Sequence, residues 1–244
     1  VEIAAIGGIV FLAALVRATL GFGEALVAMP LLALLLPVRM AAPLVALLAV
    51  ITGLTVLLRE WRHVSLEAAA RLTLPAFVAV PMGVYLLRTG DDRLVKGLLA
   101  VVILSYTAWS IRRPTGVLLT NDRWAPVAGL VAGFLGGAYN ASGPPLVIYG
   151  TLRGWPPERF RGMLQSYFTV GGMWVVTTHA LGGLLSRDVW QRFVLCIPCV
   201  LVASWLGARL SQRLPAERFR LAVHIVLFLI GLMLLASLWP RGSS

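Results

Sequence analysis

The sequence predicts an all-α polytopic membrane protein, with about eight transmembrane segments in two repeated halves. Three observations predict it. Of 244 residues, 59% are hydrophobic and 13% charged, with a mean hydropathy of +0.88. A soluble domain is about 45–50% apolar and about 25% charged, so a water-exposed surface of this composition is excluded. Apolar runs of roughly 16–25 residues recur along the chain, the length needed to cross a ~30 Å hydrocarbon slab. Finally, two of these runs break in the same way. One reads Leu20-Gly21-Phe22-Gly23-Glu24-Ala25, the other Gly136-Gly137-Ala138-Tyr139-Asn140-Ala141-Ser142-Gly143-Pro144-Pro145. Inside a bilayer a broken helix leaves backbone groups without a solvent partner, so it is kept only where it lines a cavity or is buried in protein.

The elements follow in order. A helix is expected over Ile3 to Leu20, then the first break, then a short helix from Ala25 to Leu36 ended by Pro37. Spans follow from Ala41 to Leu58, from Leu66 to Leu87 with Pro75 and Pro81 inside, and from Leu94 to Ile111. Gly90-Asp91-Asp92 reads as a turn. The polar stretch from Arg112 to Arg123, with Pro114, Gly116, Asn121 and Asp122, marks the midpoint. The plan then repeats: Trp124 to Ala138, the second break, a short helix to Leu152, and spans over Phe160–Leu185, Val189–Leu210 and Ala216–Leu238. The first repeat is thus assigned to 1–113, the connector to 114–123 and the second repeat to 124–241. Residues 242–244 and the start at Val1 read as a tag remnant and a trimmed end.

The halves align at a nearly constant separation of about 120 residues, the signature of an internal repeat. Pro75 corresponds to Pro198, Gly83 to Gly207, Arg93 to Arg218, and Gly21–Ala25 to Asn140–Pro144. If each broken segment dips in and returns, a half has three full crossings and the second half is inverted, which is the version adopted. Arg59, Arg62, Arg112, Arg113, Arg123, Arg153, Arg159, Arg161, Arg209, Arg213, Arg218 and Arg220 then share one side. Arg39, Arg88, Arg93, Lys96, Arg187, Arg192 and Arg241 share the other. The positive-inside rule puts the richer side in the cytoplasm and both termini outside. The net charge of +11 is therefore read as topology and lipid contact, and as a field for an anionic substrate. Nucleic-acid binding is excluded, since no basic face extends over a soluble domain.

Broken helices at matching places in two halves point to a transporter binding site. The short helices begin near Glu24 and near Ser142, and a helix N-terminus offers free N–H donors and partial positive charge to an anion. Gly23 and Gly143 permit close approach, the Ser142 hydroxyl adds a hydrogen bond, and Pro144 and Pro145 suit a first helical turn. The competing reading gives the glycines to tight helix packing. Glu24 is the sharpest single residue, because an acid inside apolar sequence is costly and functional by default. It is expected to couple proton and anion movement, with an N-cap or an ion pair to Arg17 as the structural alternative. Arg17 lies two helical turns earlier on the same face and either binds the anion or neutralises Glu24.

The run Gly21-Phe22-Gly23-Glu24-Ala25-Leu26-Val27-Ala28-Met29-Pro30-Leu31-Leu32 resembles the first glycine-rich motif of the TauE/SafE sulfite-exporter family. Gly129-Leu130-Val131-Ala132-Gly133-Phe134-Leu135-Gly136-Gly137, followed by Asn140-Ala141-Ser142-Gly143-Pro144-Pro145-Leu146-Val147, resembles its second and more specific motif. Length and two-repeat layout agree over nearly the whole chain. Glu24, Ala25, Asn140 and Ser142 stand where the family pattern has glycine. The resemblance implies a secondary transporter of the bacterial inner membrane, exporting a small sulfur-containing or organic oxyanion such as sulfite or an organosulfonate by alternating access. Its substrate-binding residues are expected to be Arg17, Gly21, Phe22, Gly23, Glu24, Asn140, Ala141, Ser142, Gly143, Pro144 and Gln165, with Glu24 as the proton-coupling group.

Other features read as structural. His179 and His224 fit core or interface positions better than a proton relay. Trp61, Trp124, Trp155, Trp190 and Trp239 lie near segment ends, as interfacial anchors do. Three readings compete with a carrier. An anion channel would use the same site. An intramembrane serine hydrolase would use Ser142 with a histidine base, but it leaves the first break unexplained. A thiol redox site at Cys196-Ile197-Pro198-Cys199 would sit in mid-span. Pro198 as a kink with cysteine as small apolar filler accounts for that motif. The reading is not an enzyme, and no metal or cofactor signature is present. Partners are membrane lipid and a small anion; a homodimer is compatible with the sequence and not required by it.

Overall fold

The computed structural model describes residues 2–60, 66–112, 119–210 and 216–238. Trp61, Arg62, Arg113, Pro114, Gly116, Arg213, Trp239, Arg241 and the 242–244 tail lie outside the described residues, as do the side chains of Arg59, Arg218 and Arg220. The described chain is all-helical. The helices are α1 Glu2–Leu20, α2 Glu24–Leu35, α3 Val38–Glu60, α4 Leu66–Thr89 and α5 Asp92–Arg112, then α6 Ala125–Tyr139, α7 Gly143–Leu152, α8 Pro157–Leu181, α9 Arg187–Leu210 and α10 Ala216–Leu238. A 3₁₀ turn, Asp122–Trp124, leads into α6. Among the described residues five helices are long and apolar enough to cross a membrane: α1, most of α3, most of α4, α5 and α9. The sequence expectation carried α8 on to Leu185. It stops at Leu181 because Gly182 and Gly183 turn the chain, Gly183 at φ 69°.

Polar contacts mark two ends of the bundle. At one, Arg192 pairs with Glu2 (3.2 Å), Arg39 donates to the carbonyls of Leu87 and Gly90, and the Val38 N–H donates to Asp92. Gly182, five residues before α9, packs on Arg88 at this end. At the other, Asp122 accepts from Arg71 (2.6 Å), Arg153 (3.0 Å) and the Tyr149 hydroxyl (3.1 Å). Both short helices return to the end from which their partner entered. The α1–α2 hairpin begins beside Arg192 and comes back to Arg39; the α6–α7 hairpin begins at Asp122 and comes back to Arg153. At 1.5 Å per residue, the 12 residues of α2 reach about 18 Å in and the 10 of α7 about 15 Å. Half of a ~30 Å slab is about 15 Å, comparable with the length of both returning helices.

The packed pairs repeat between the halves. α4 packs on α6, as α9 packs on α1; α3 meets α8, and α5 meets α10. The α4–α6 seam is made by Gly129, Gly133 and Gly137, one turn apart, which bring α6 backbone against Leu72, Ala76 and Val80. Small residues at this spacing let helices approach closely where no hydrophobic drive exists between them. Gly83 of α4 faces Phe134 and Ala138, while its counterpart Gly207 of α9 faces Leu15 and Ala18. On the far face of α4, Leu74, Val78, Met82 and Tyr85 are all more than half exposed. In water each would forgo about 1.5–3 kcal/mol of burial; against acyl chains none is lost. The protein is an integral membrane protein.

Candidate substrate site

The two breaks are closed by the same backbone device. Gly21 has φ 83° and returns its N–H to Arg17 carbonyl at 2.7 Å; Asn140 has φ 55° and returns its N–H to Gly136 carbonyl at 2.8 Å. Each is the left-handed cap in which one N–H satisfies a carbonyl of the last turn. Asparagine is the residue after glycine that best tolerates this conformation, which accounts for Asn140 at a position where the sequence pattern expects glycine. The caps end α1 and α6, and α2 and α7 then start without any side-chain N-cap. Glu24 does not cap α2. Pro144 and Pro145 occupy the first turn of α7 and carry no N–H, so α2 is the better supplied of the two helix starts in backbone donors.

Between the tips lies a cavity of about 50 Å³. Of the residues predicted for the site, Arg17, Phe22, Gly23, Glu24, Asn140, Ala141, Ser142 and Gly143 line it together. Gly21, Pro144 and Gln165 do not. Gly21 is the cap behind the tip, Pro144 faces a groove toward α5, and Gln165 is buried on α8. Glu24 and Ser142 thus face one cavity, as the paired-break argument requires.

Its electrostatic centre is an ion pair. Arg17 Nη1 donates to Glu24 Oε2 at 2.9 Å, and the two side chains are 6% and 4% exposed. Arg17 Nη1 also donates to the Ala49 carbonyl, and Thr52 Oγ1 donates to Glu24 Oε1, each at 2.9 Å. Thr52 was missed at the sequence level, since a mid-span threonine carries no motif; its only signal was a hydroxyl in an apolar helix. The Phe168 ring lies 5.4 Å from the Arg17 guanidinium carbon and closes one wall. Tyr167 and Ser142 side chains meet across the cavity. Both oxygens of Glu24 are engaged, whereas Arg17 Nε and Asn140 Nδ2 are buried without a partner. Both of these unpartnered side-chain atoms, on residues that line the cavity, are N–H donors. A buried donor left unmade costs about 1–3 kcal/mol, and an acceptor-rich ligand would satisfy it.

The remaining sequence candidates lie outside the cavity lining. His179 Nε2 bonds the Gly137 carbonyl at 2.8 Å behind α6 and does not line the cavity, so Ser142 has no histidine beside it there. The His224 ring lies tilted against Tyr106, centroids 5.7 Å apart. Cys196 and Cys199 are free thiols in α9, the second of them against Gly7 of α1.

Residues 6–234 match the family model described as sulfite exporter TauE/SafE. The chain belongs to the TauE/SafE family. It is also 26% identical over 198 residues to a protein of Cupriavidus necator named probable sulfite/organosulfonate exporter TauE, covering 79% of this chain and 77% of that one. No solved structure matches. TauE/SafE members are exporters, so this chain is a membrane transporter and not an enzyme.

Proposed function

We propose that this TauE/SafE member exports a small sulfur-containing or organic oxyanion, of the sulfite and organosulfonate class, across a bacterial inner membrane, by alternating access at the cavity between the hairpin tips. The observation that carries the reading is that Arg17 and Asn140, which line the cavity between the hairpin tips, each hold a buried N–H donor without a protein partner, Arg17 Nε and Asn140 Nδ2. With Glu24 ionised, the cavity holds a neutral pair and offers little net attraction to an anion. Once Glu24 takes a proton, the guanidinium of Arg17 is left without a counter-charge, and an oxyanion replaces the carboxylate beside it. Proton and anion then occupy the site together. The opposed hairpins and the repeated helix pairs support an inverted repeat, with both termini periplasmic by the positive-inside rule.

The test is flux in proteoliposomes with sulfite, sulfoacetate and taurine, with and without a pH gradient. Sulfite flux is expected to rise as the loading side is acidified, and Glu24→Gln is expected to remove that dependence. Absence of flux with every anion sinks the substrate class. A variant with unchanged flux and unchanged pH dependence sinks the coupling.

A further inference from the structure

The two halves are not equally closed. α10 packs along α2, and also touches α1. By the repeat, α5 corresponds to α10 and α7 to α2, so a symmetric molecule would pack α5 along α7. Instead, among the described residues, α5 and α7 make no comparable packing. Between them is an apolar groove of about 620 Å³, walled by Val101, Ser105 and Trp109 of α5, Val131 of α6, and Pro145 and Ile148 of α7. Near its own start α5 does reach the second hairpin: the Tyr139 hydroxyl donates to the Val95 carbonyl at 3.0 Å. From Val101 onward it diverges. The α5–α10 pair, whose members pack on each other, is therefore seated on the first hairpin and lifted off the second.

We infer that α5 and α10 move as one unit during transport, closing α5 onto α7 in the state opposite to this one while α10 leaves α2. This inference rests on the transporter reading above. The repeated halves offer the unit two equivalent seats, one filled and one empty. The groove matches its occupant in chemistry, because the facing walls are apolar on both sides and Ser105 alone among these six is polar. Its pivot is the Tyr139–Val95 contact, six residues before Val101 on α5. Each seat abuts one of the hairpins that form the cavity, so the exchange changes which hairpin is clamped.

Cysteines at Ser105 and Ile148, in a Cys196→Ser, Cys199→Ser background, span the groove. In proteoliposomes, copper phenanthroline is expected to join them, faster during sulfite turnover than at rest. Joining is expected to cut flux at least tenfold, and reduction to restore it. No cross-link under turnover, or full flux through the cross-linked protein, overturns the inference. A second variant, Ala128→Phe, fills the groove from α6 without touching the cavity. It is expected to slow sulfite flux at least tenfold with sulfite affinity unchanged; full flux in it likewise overturns the inference. If unmodified protein moves no sulfite, the substrate reading fails, and the cross-link at rest and its rate still decide whether the groove closes.

Discussion

Replacing Glu24 by Gln removes one member of a pair whose side chains are 6% and 4% exposed. The change keeps shape and a hydrogen-bond acceptor for Thr52, but leaves the Arg17 guanidinium charged and uncompensated. Breaking a buried pair from one side costs about 3–5 kcal/mol, because a desolvated charge remains. An anion that takes the place of the carboxylate returns part of this. At one hundred times its dissociation constant a ligand stabilises the folded state by about 2.7 kcal/mol. The unmodified protein should gain less from the same anion concentration, since there the anion must first displace Glu24. The assay is thermal unfolding in detergent with and without sulfite, run on Glu24→Gln, Arg17→Gln and the double variant. The expected pattern is a large loss for Glu24→Gln, a sulfite-dependent recovery, and no recovery once Arg17 is also removed. A Glu24→Gln protein as stable as the parent, or one indifferent to sulfite, refutes the reasoning.

Further outcomes follow from the geometry at four positions. Asn140→Gly keeps the left-handed cap and should fold normally, yet bind anion up to about tenfold more weakly by losing one hydrogen bond worth about 0.5–1.5 kcal/mol; Asn140→Ala adds strain of roughly 1–2 kcal/mol, seen as a lower unfolding midpoint. At Gly133 a Cβ would stand 2.6 Å from Ala76 Cα, so Gly133→Leu should cost about 1–3 kcal/mol or more by overpacking. Gly8→Ala, with open space around it, should be neutral or stabilising by up to about 1 kcal/mol, both read by thermal melts. Asp122→Ala should lower the midpoint, the exposed Arg71 pair accounting for less than about 1 kcal/mol and the more buried Arg153 and Tyr149 partners for the rest, and should leave sulfite flux intact.

Much of this arrangement was legible in the sequence because the relevant signals are local. Gly21 and the Asn140–Ser142 stretch announce their breaks, and the seven-residue spacing of Arg17 and Glu24 across a break places them on one side. The Gly129, Gly133 and Gly137 ladder was read within a motif, although its packing role needed α4 to be seen. What escaped was non-local or chemically ordinary. Thr52 sits on a different helix from Glu24, and nothing in its neighbourhood marks it. The left-handed backbone of Asn140, which lets asparagine stand where the family pattern has glycine, could be seen only in the structure. The empty seat between α5 and α7 could not be read at all, because both segments have the composition of packed helices.

The ion pair has an electrical consequence. At the offset that aligns the two breaks, the corresponding positions are Gly136 and Gly143, so the charge is carried by one hairpin alone, the one entering beside Glu2. Moving a unit charge through the membrane potential does work of about 2.3 kcal/mol per 100 mV. Arg17 with ionised Glu24 sums to zero, and Arg17 with protonated Glu24 and a bound monoanion also sums to zero. The empty and the loaded carrier would then cross the field at equal cost. Resting potential would neither drive such a cycle nor trap it, and a divalent anion would be the first cargo to feel the voltage.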